Sequence, residues 1–301
     1  ISHRLPIALA ALRAGWRVDL ISGRSGSARM EADSARTLDA AGIAHYCAPF
    51  RATGVNPVTE AFGLLQVLRR VRAHRPDVIH TASPKGNLYG GIAARVCGVP
   101  KLLVSVSGQG YLFTGTAGLP KRTLGLVYNA FIKWVYRHPD CTVIVQNRDD
   151  FAALRDAGMV RSEQLLLIPG SGVDLAQFAD MPPELAENIV LLPARMLRDK
   201  GVQEFVDAAR ELKQSHPDWR FVLVGAADYA NPSAFSAEQI QAWVNEGIVE
   251  WWDYQVDMPA VYRKAAIVCL PSYREGMPKC LLEAAAAGKP VVTTDVVGCR
   301  E

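Results

Sequence analysis

Two hydrophobic rhythms alternate along the chain. Short, nearly unbroken apolar runs occur at 17–22 (RVDLIS), 77–80, 101–107, 141–146 and 165–168, and resume at 188–193, 220–225, 248–252, 266–271 and 291–294. Between them apolar residues recur every three or four positions, most clearly at 58–73, 86–96, 121–137, 148–157, 201–214 and 278–287. The first rhythm predicts strands buried on both faces, and the second predicts helices that cover them. Such alternation predicts an α/β chain with parallel sheets. It breaks at 171–187, where Gly, Pro and acidic residues gather into what reads as a linker. The expected organisation is two Rossmann-like, doubly wound domains, 1–170 and 188–301, facing a cleft. Ligands of such sheets sit beyond the carboxyl ends of the strands.

Half of the 301 residues are hydrophobic, enough for a core in each domain. No apolar run reaches the ~18 residues that a membrane-spanning helix needs. The opening ISHRLPIALAALRAGW lacks the pattern of a secretory signal. Six widely spaced cysteines without a C-x-x-C predict reduced cytosolic thiols, most of them small core residues. The chain opens without Met inside a helix-like pattern and closes at TTDVVGCRE, which reads as truncation at both ends. The net charge of +3 is uneven: residues 1–180 carry 21 Lys/Arg against 13 Asp/Glu, and residues 181–301 carry 12 against 17. A basic first half suits a phosphate-bearing substrate or a membrane surface; drift in surface composition would leave the same imbalance. No compact basic-aromatic motif points to nucleic acid.

The segment PSYREGMPKCLLEAAAAGKP (271–290) follows a buried strand and carries two carboxylates, Glu275 and Glu283. Pro278 suits the first turn of a helix, KCLLEAAAA is a strong helix former, and Gly288 with Pro290 ends it. Glu275 then lies in the loop before the helix and Glu283 in its second turn. Open N–H groups near Cys280 and Leu281 would suit an anion. Carboxylates accept from sugar hydroxyls but repel phosphate. A ligand with hydroxyls at both ends and phosphate between them, a nucleotide sugar, fits this layout. In LLPARMLRDKG (191–201), Arg195 and Lys200 sit five apart on a strand-to-helix loop. Both could fold over a diphosphate and stabilise it as a leaving group without a metal; a salt-bridged surface loop would carry the same two cations. No D-x-D occurs in any frame, which disfavours a carboxylate-held Mg²⁺ or Mn²⁺.

These stretches resemble a known family. PSYREGMPKCLLEAAAAGKPVVTTDVVGCRE resembles the Glu-x7-Glu region of the retaining, family-four glycosyltransferases of the GT-B fold. ARMLRDKGVQEFVDAA resembles their diphosphate-binding segment, and IPGSGVDLAQF their inter-domain turn. In the first half, ISHRLPIALAALRAGWRVDL is similar to the family's first helix. The stretch from Arg75 to Gly115 resembles a bacterial subgroup that works on lipid-linked glycans. The resemblance implies that Glu275, with the amides of Gly276, Met277 and Lys279, binds the donor sugar. It implies that Glu283 holds the ribose, that Arg195 and Lys200 bind the diphosphate, and that the base packs near Tyr254. Transfer would retain the anomeric configuration, the leaving phosphate helping to take the acceptor's proton.

Two departures stand out. Many relatives carry a His in the loop that here reads Ser107-Gly108-Gln109-Gly110-Tyr111. The family's first strand with its glycine-rich loop, and its closing helices, would lie outside residues 1–301. Ser107, Gly108 and Tyr111 remain candidate acceptor contacts. Lys85, in SPKGN at a helix start, fits either an acceptor phosphate or a solvated lysine beside a cap. His80 fits a core position or a ligand contact. Asn147 and Asp149 fit helix caps, and Trp251 and Trp252 fit the core. The basic, aromatic stretch 121–138 fits membrane-surface docking or an ordinary packed helix.

The expected protein is a cytoplasmic, metal-independent glycosyltransferase of polysaccharide and cell-envelope biosynthesis, with peripheral contact to the membrane's inner face as an option. It would use a UDP-sugar as co-substrate and no cofactor. The acceptor would be a saccharide, one linked to polyprenyl diphosphate in the preferred reading. A nucleotide-sugar epimerase and a non-catalytic nucleotide-sugar-binding subunit are the alternatives.

Overall fold

The computed structural model describes residues 4–24, 28–51, 56–106, 119–179, 187–227 and 231–301. The chain divides between Ser171 and Gly172 into two compact units.

The first unit runs α1 (Leu5–Arg13), β1 (Asp19–Arg24), α2 (Ala28–Ala40), β2 (Ala44–Arg51), α3 (Pro57–His74), β3 (Val78–Ala82), α4 (Pro84–Cys97), β4 (Lys101–Val106), α5 (Leu119–Tyr136), β5 (Cys141–Val145), α6 (Arg148–Asp156) and β6 (Leu165–Leu167). Strands β1 and β2 pair in parallel, and β3, β4, β5 and β6 form a second parallel sheet in that order. Its central strands bury Leu102, Val104, Val143 and Val145 completely, as the unbroken apolar runs require. Strand β2 is not visible as a hydrophobic run, because His45 and Pro49 interrupt it. Asn56 and Asn147 cap α3 and α6 with their side-chain oxygens.

The second unit runs β7 (Ile189–Pro193), α7 (Val202–Ser215), β8 (Arg220–Val224), α8 (Ala237–Asn245), β9 (Glu250–Trp251), α9 (Met258–Lys264), β10 (Ile267–Leu270), α10 (Lys279–Ala286) and β11 (Val291–Thr293). These strands all pair in parallel, in the order β11-β10-β7-β8-β9. The chain steps from β7 outward to β8 and β9, then returns to lay β10 on the other side of β7. The order therefore reverses between β7 and β10, a topological switch point where ligands of open α/β sheets bind. Part of the stretch read as a linker packs here instead: residues 175–177 form a 3-10 turn, and Phe178 is buried against Tyr262.

Candidate functional site

The two loops at the switch point carry the predicted chemistry. The loop after β7 is anchored by Met196 and Leu197, both buried. Met196 exchanges backbone bonds with Ala226 and Phe235, and Arg198 lies 4.5 Å from the centre of the Phe235 ring. This leaves Arg195 and Lys200 at the two ends of a fixed turn. Gly201 follows with φ 72°, and a Cβ there would fall 2.1 Å from the carbonyl oxygen of Pro271. Only glycine allows that approach, so the loop after β7 lies backbone to backbone against the loop after β10. Asp199 stitches the two: its carbonyl accepts from the Tyr273 amide at 3.0 Å and lies 3.0 Å from the Ser272 Oγ.

This packing brings Lys200 to Glu275, whose Oε1 accepts from Nζ. Their side chains are only 20% and 12% exposed. Ser272, fully buried, places its Oγ 2.8 Å from the same carboxylate oxygen. The Glu275 amide donates to Val297 O at 3.0 Å. Gly298 backs this turn, where a Cβ would meet Glu275 O at 2.4 Å. Glu275 is thus held by a cation, a hydroxyl and its own backbone, and a carboxylate has acceptor positions beyond those that these contacts use.

Helix α10 begins one residue later than predicted. Pro278 stands just outside it with ψ 115°, and no side chain caps the helix. Its first amides lack intrahelical acceptors, as at any helix start. One expected contact does not hold: the Leu281 amide donates to Pro278 O at 3.0 Å, so it is not open to an anion. The candidate amides that remain at the helix start are those of Met277, Lys279 and Cys280. Glu283 is buried in the second turn; Lys279 Nζ lies 2.7 Å from Oε1 and the Tyr262 hydroxyl 3.1 Å from Oε2. Burial, and then the charge of Glu275, push the Cys280 thiol up to about 12, with Lys200 opposing. A neutral thiol is a poor nucleophile.

Two other expected donor contacts lie on the surface of this unit. Arg195 is exposed at the start of its turn. Tyr254 is 61% exposed beyond β9, after Asp253 at φ 51°. The Gly225 amide donates to Asp253 O, and a Cβ at Gly225 would lie 1.9 Å from Ala194 O. The turns carrying Arg195 and Tyr254 are therefore both packed on Gly225. Ser272 and Tyr262 escape the sequence reading, because a lone Ser or Tyr carries no spacing signal. Replacing Ser272 by Ala is expected to lower kcat/KM about tenfold, the equivalent of losing one hydrogen bond to a charged group, ~1.5 kcal/mol. Ser272→Thr should restore most of it; steady-state kinetics on both variants checks this.

In the first unit, Lys85 stands in the first turn of α4 and Ser83 caps that helix at φ 76°. Lys85 is not a merely solvated lysine: its Nζ lies 2.8 Å from Glu60 Oε1, and Glu60 also accepts from the Tyr89 hydroxyl. His80 Nε2 lies 2.8 Å from Ser105 Oγ, and burial, then Arg4, push its pKa down to about 4. Trp251 packs in the core of the second unit, as expected. Ser107, Gly108 and Tyr111 lie outside the described residues. Among the described residues no cluster of metal-ligating side chains occurs.

Residues 187–301 match the family model described as "Glycosyl transferases group 1", and residues 4–170 match "Glycosyl transferase 4-like domain". N,N'-diacetylbacillosaminyl-diphospho-undecaprenol alpha-1,3-N-acetylgalactosaminyltransferase of Campylobacter jejuni is 30% identical over 268 residues, covering 84% of this chain and 68% of that protein. UDP-Gal:alpha-D-GlcNAc-diphosphoundecaprenol alpha-1,3-galactosyltransferase of Escherichia coli is 25% identical over 263 residues, covering 83% and 66%. The chain thus spans about two thirds of the length of these relatives. Among solved structures, Anabaena Alr3699/HepE in complex with UDP-glucose superimposes with a TM-score of 0.72 at 18% identity, over 99% of this chain and 78% of that one. WaaG, a glycosyltransferase involved in lipopolysaccharide biosynthesis, gives 0.72 at 16% identity over the same shares. Such likeness shows the fold, which is GT-B with a Rossmann-like parallel sheet in the second unit and parallel sheets in the first. The chain belongs to the group 1 glycosyltransferase family, with a 4-like domain followed by a group 1 domain.

Proposed function

We propose that the second unit binds a UDP-sugar, and that the protein transfers a hexose or N-acetylhexosamine from it to a lipid-linked saccharide. The observation that carries this reading is the Lys200–Glu275 pair at the switch point, beside the uncapped start of α10. A lysine ammonium has three donors. Glu275 takes one, and the others suit oxygens of a diphosphate. The amide end of α10 adds partial positive charge for the same anion. Together they stabilise the negative charge that develops on the leaving UDP, and Arg195 adds to it from the other end of its turn. Glu275 accepts from hydroxyls of the donor sugar. Glu283 accepts from the ribose, with Lys279 and Tyr262 fixing its orientation, and Tyr254 offers an exposed ring for the base.

The reading extends to membership of family four and to retention at the anomeric carbon. No side-chain nucleophile is assigned at the site: the Cys280 thiol is held neutral. A departing phosphate oxygen that takes the acceptor proton requires none. Acceptor recognition belongs to the first unit, through Lys85 and the loop of Ser107, Gly108 and Tyr111. The supporting relatives are named for acceptors linked to diphospho-undecaprenol. Reduced cysteines suit a cytoplasmic setting. No metal or cofactor is required.

The test is UDP release by the full-length protein from a panel of UDP-sugars, with an undecaprenyl-diphosphate-linked saccharide as acceptor. One donor should give acceptor-dependent release and an α-linked product from an α-linked donor. UDP binding without transfer to any acceptor, or sugar interconversion without acceptor, would overturn the reading.

A further inference from the structure

Lys200 belongs to neither a strand nor an α-helix. Residues Arg198–Lys200 form a single 3-10 turn between β7 and α7, and no side chain caps it. Such turns are short and have poorer hydrogen-bond geometry than α-helices, so their shape depends on what surrounds them. One side of this turn is held by the loop after β10, through the carbonyl of Asp199. The other side is held by residues 231–235, which lie between β8 and α8.

The second contact is a clasp. The Arg198 amide donates to Ser233 O at 2.8 Å, and the Asp199 amide lies 3.4 Å from Ser233 Oγ. Ala234 pairs with Leu197 in an antiparallel bridge, and the Phe235 amide donates to Met196 O at 3.0 Å. Asn231 shapes the segment that makes these bonds. Its Oδ1 accepts from the Ser233 amide at 2.9 Å and its carbonyl from the Ala234 amide at 3.0 Å. An asparagine that bonds the backbone two residues on, with Pro232 fixing φ between, closes a tight turn. Behind that turn Phe235 is buried, its ring centre 5.0 Å from that of Trp243. Joining β8 to α8 requires none of this pairing with the turn after β7.

We propose that Asn231 is a positioning residue for the donor diphosphate: the turn it closes holds Arg198–Lys200 from behind and keeps the Lys200 ammonium at Glu275. The proposal rests on the donor reading above and deepens it. Lys200 is bonded to Glu275, and Glu275 faces the sugar in that reading. The ammonium therefore meets the phosphate next to the sugar, and the one next to the ribose lies beyond it. A loosened clasp lets Lys200 drift, which weakens the grip on the second phosphate and spares the first. Asn231 thus supports recognition of a nucleoside diphosphate over the monophosphate.

The experiment is calorimetric titration of the full-length protein with UDP and with UMP, in wild type, Asn231→Ala and Asn231→Asp. Wild type should bind UDP more tightly than UMP. Asn231→Ala should weaken UDP about tenfold and leave UMP within about twofold, and the donor KM should rise with the UDP Kd. Asn231→Asp keeps the side-chain acceptor and should restore most of the loss. Hydrogen exchange at the Arg198 amide should be about tenfold faster in Asn231→Ala and normal in Asn231→Asp. Equal weakening of both nucleotides is what a merely structural role would give, and it would overturn the proposal. So would unchanged exchange, an unweakened UDP affinity, or an Asp variant as poor as the Ala variant. Should Asn231→Ala not fold, Ser233→Ala removes only the hydroxyl beside the Asp199 amide; it should show the same selective loss at about two- to threefold, and its absence would count against the clasp. A wild type that favours UDP, with a folded Asn231→Ala that keeps the preference, sinks the clasp alone. A wild type with no preference for UDP sinks the donor reading and takes the proposal with it.

Discussion

Lys200→Ala is expected to lower kcat for UDP release by about 10²–10³-fold, the range for removing one preorganised charge-stabilising donor. The donor KM should rise as well, because an ammonium that grips the diphosphate contributes before and during bond breaking. The same change leaves Glu275 without its cation, and the pair is mostly buried. A stability loss of about 2–3 kcal/mol should follow, somewhat below that of a fully enclosed pair that loses one partner. Chemical denaturation measures the second effect separately from turnover. The double variant Lys200→Ala, Glu275→Gln should recover part of the stability and none of the activity. Wild-type turnover in Lys200→Ala would mean that the assigned phosphate contact is wrong.

Gly201→Ala should act through the backbone. A left-handed conformation costs a residue with a Cβ about 1–2 kcal/mol. The new methyl would also lie 2.1 Å from Pro271 O, far inside contact distance. Moving packed backbone to relieve such overlap costs about 1–3 kcal/mol. The expected total is ~3 kcal/mol, read from a urea midpoint at unchanged slope. The only relief is for the two loops to move apart, which draws Lys200 from Glu275. Activity should therefore fall even at temperatures where the variant remains folded. Gly288→Ala is the control: it shares the positive φ, at 65°, but its added Cβ meets nothing. It should lose the smaller amount of stability and leave turnover unchanged.

Much of this site is legible in the sequence, for a physical reason. Residues such as Glu275 and Lys200 stand against their surroundings: charge beside apolar strand ends, glycine just after, a helix former next. Each of those features reports on local backbone, and local backbone is what spacing encodes. The start of α10 shows the limit. Pro278 is expected inside the helix and stands outside it, which turns its carbonyl toward the Leu281 amide. Whether an amide is open depends on a single ψ angle, and composition does not encode that. Ser272 and Tyr262 are invisible for another reason. Their roles arise only from contact with a carboxylate, and Tyr262 reaches Glu283 across 21 residues. The fold class follows from the alternating rhythms, whereas β2 does not, since its polar and proline positions break the run that marks the other strands.

The strand order of the second unit also bears on how the protein emerges from the ribosome. Lys200 and Glu275 are 75 residues apart in the chain and meet only after β10 has slotted in beside β7. Until that strand is synthesised, one edge of β7 is bare, and an unpaired apolar edge invites aggregation. Nucleotide affinity should thus be absent from nascent chains that stop before β10, and should arise in a single late step during refolding. A fluorescent UDP analogue would then report completion of the sheet, and its slow phase would track the long loop closure that joins the two strands.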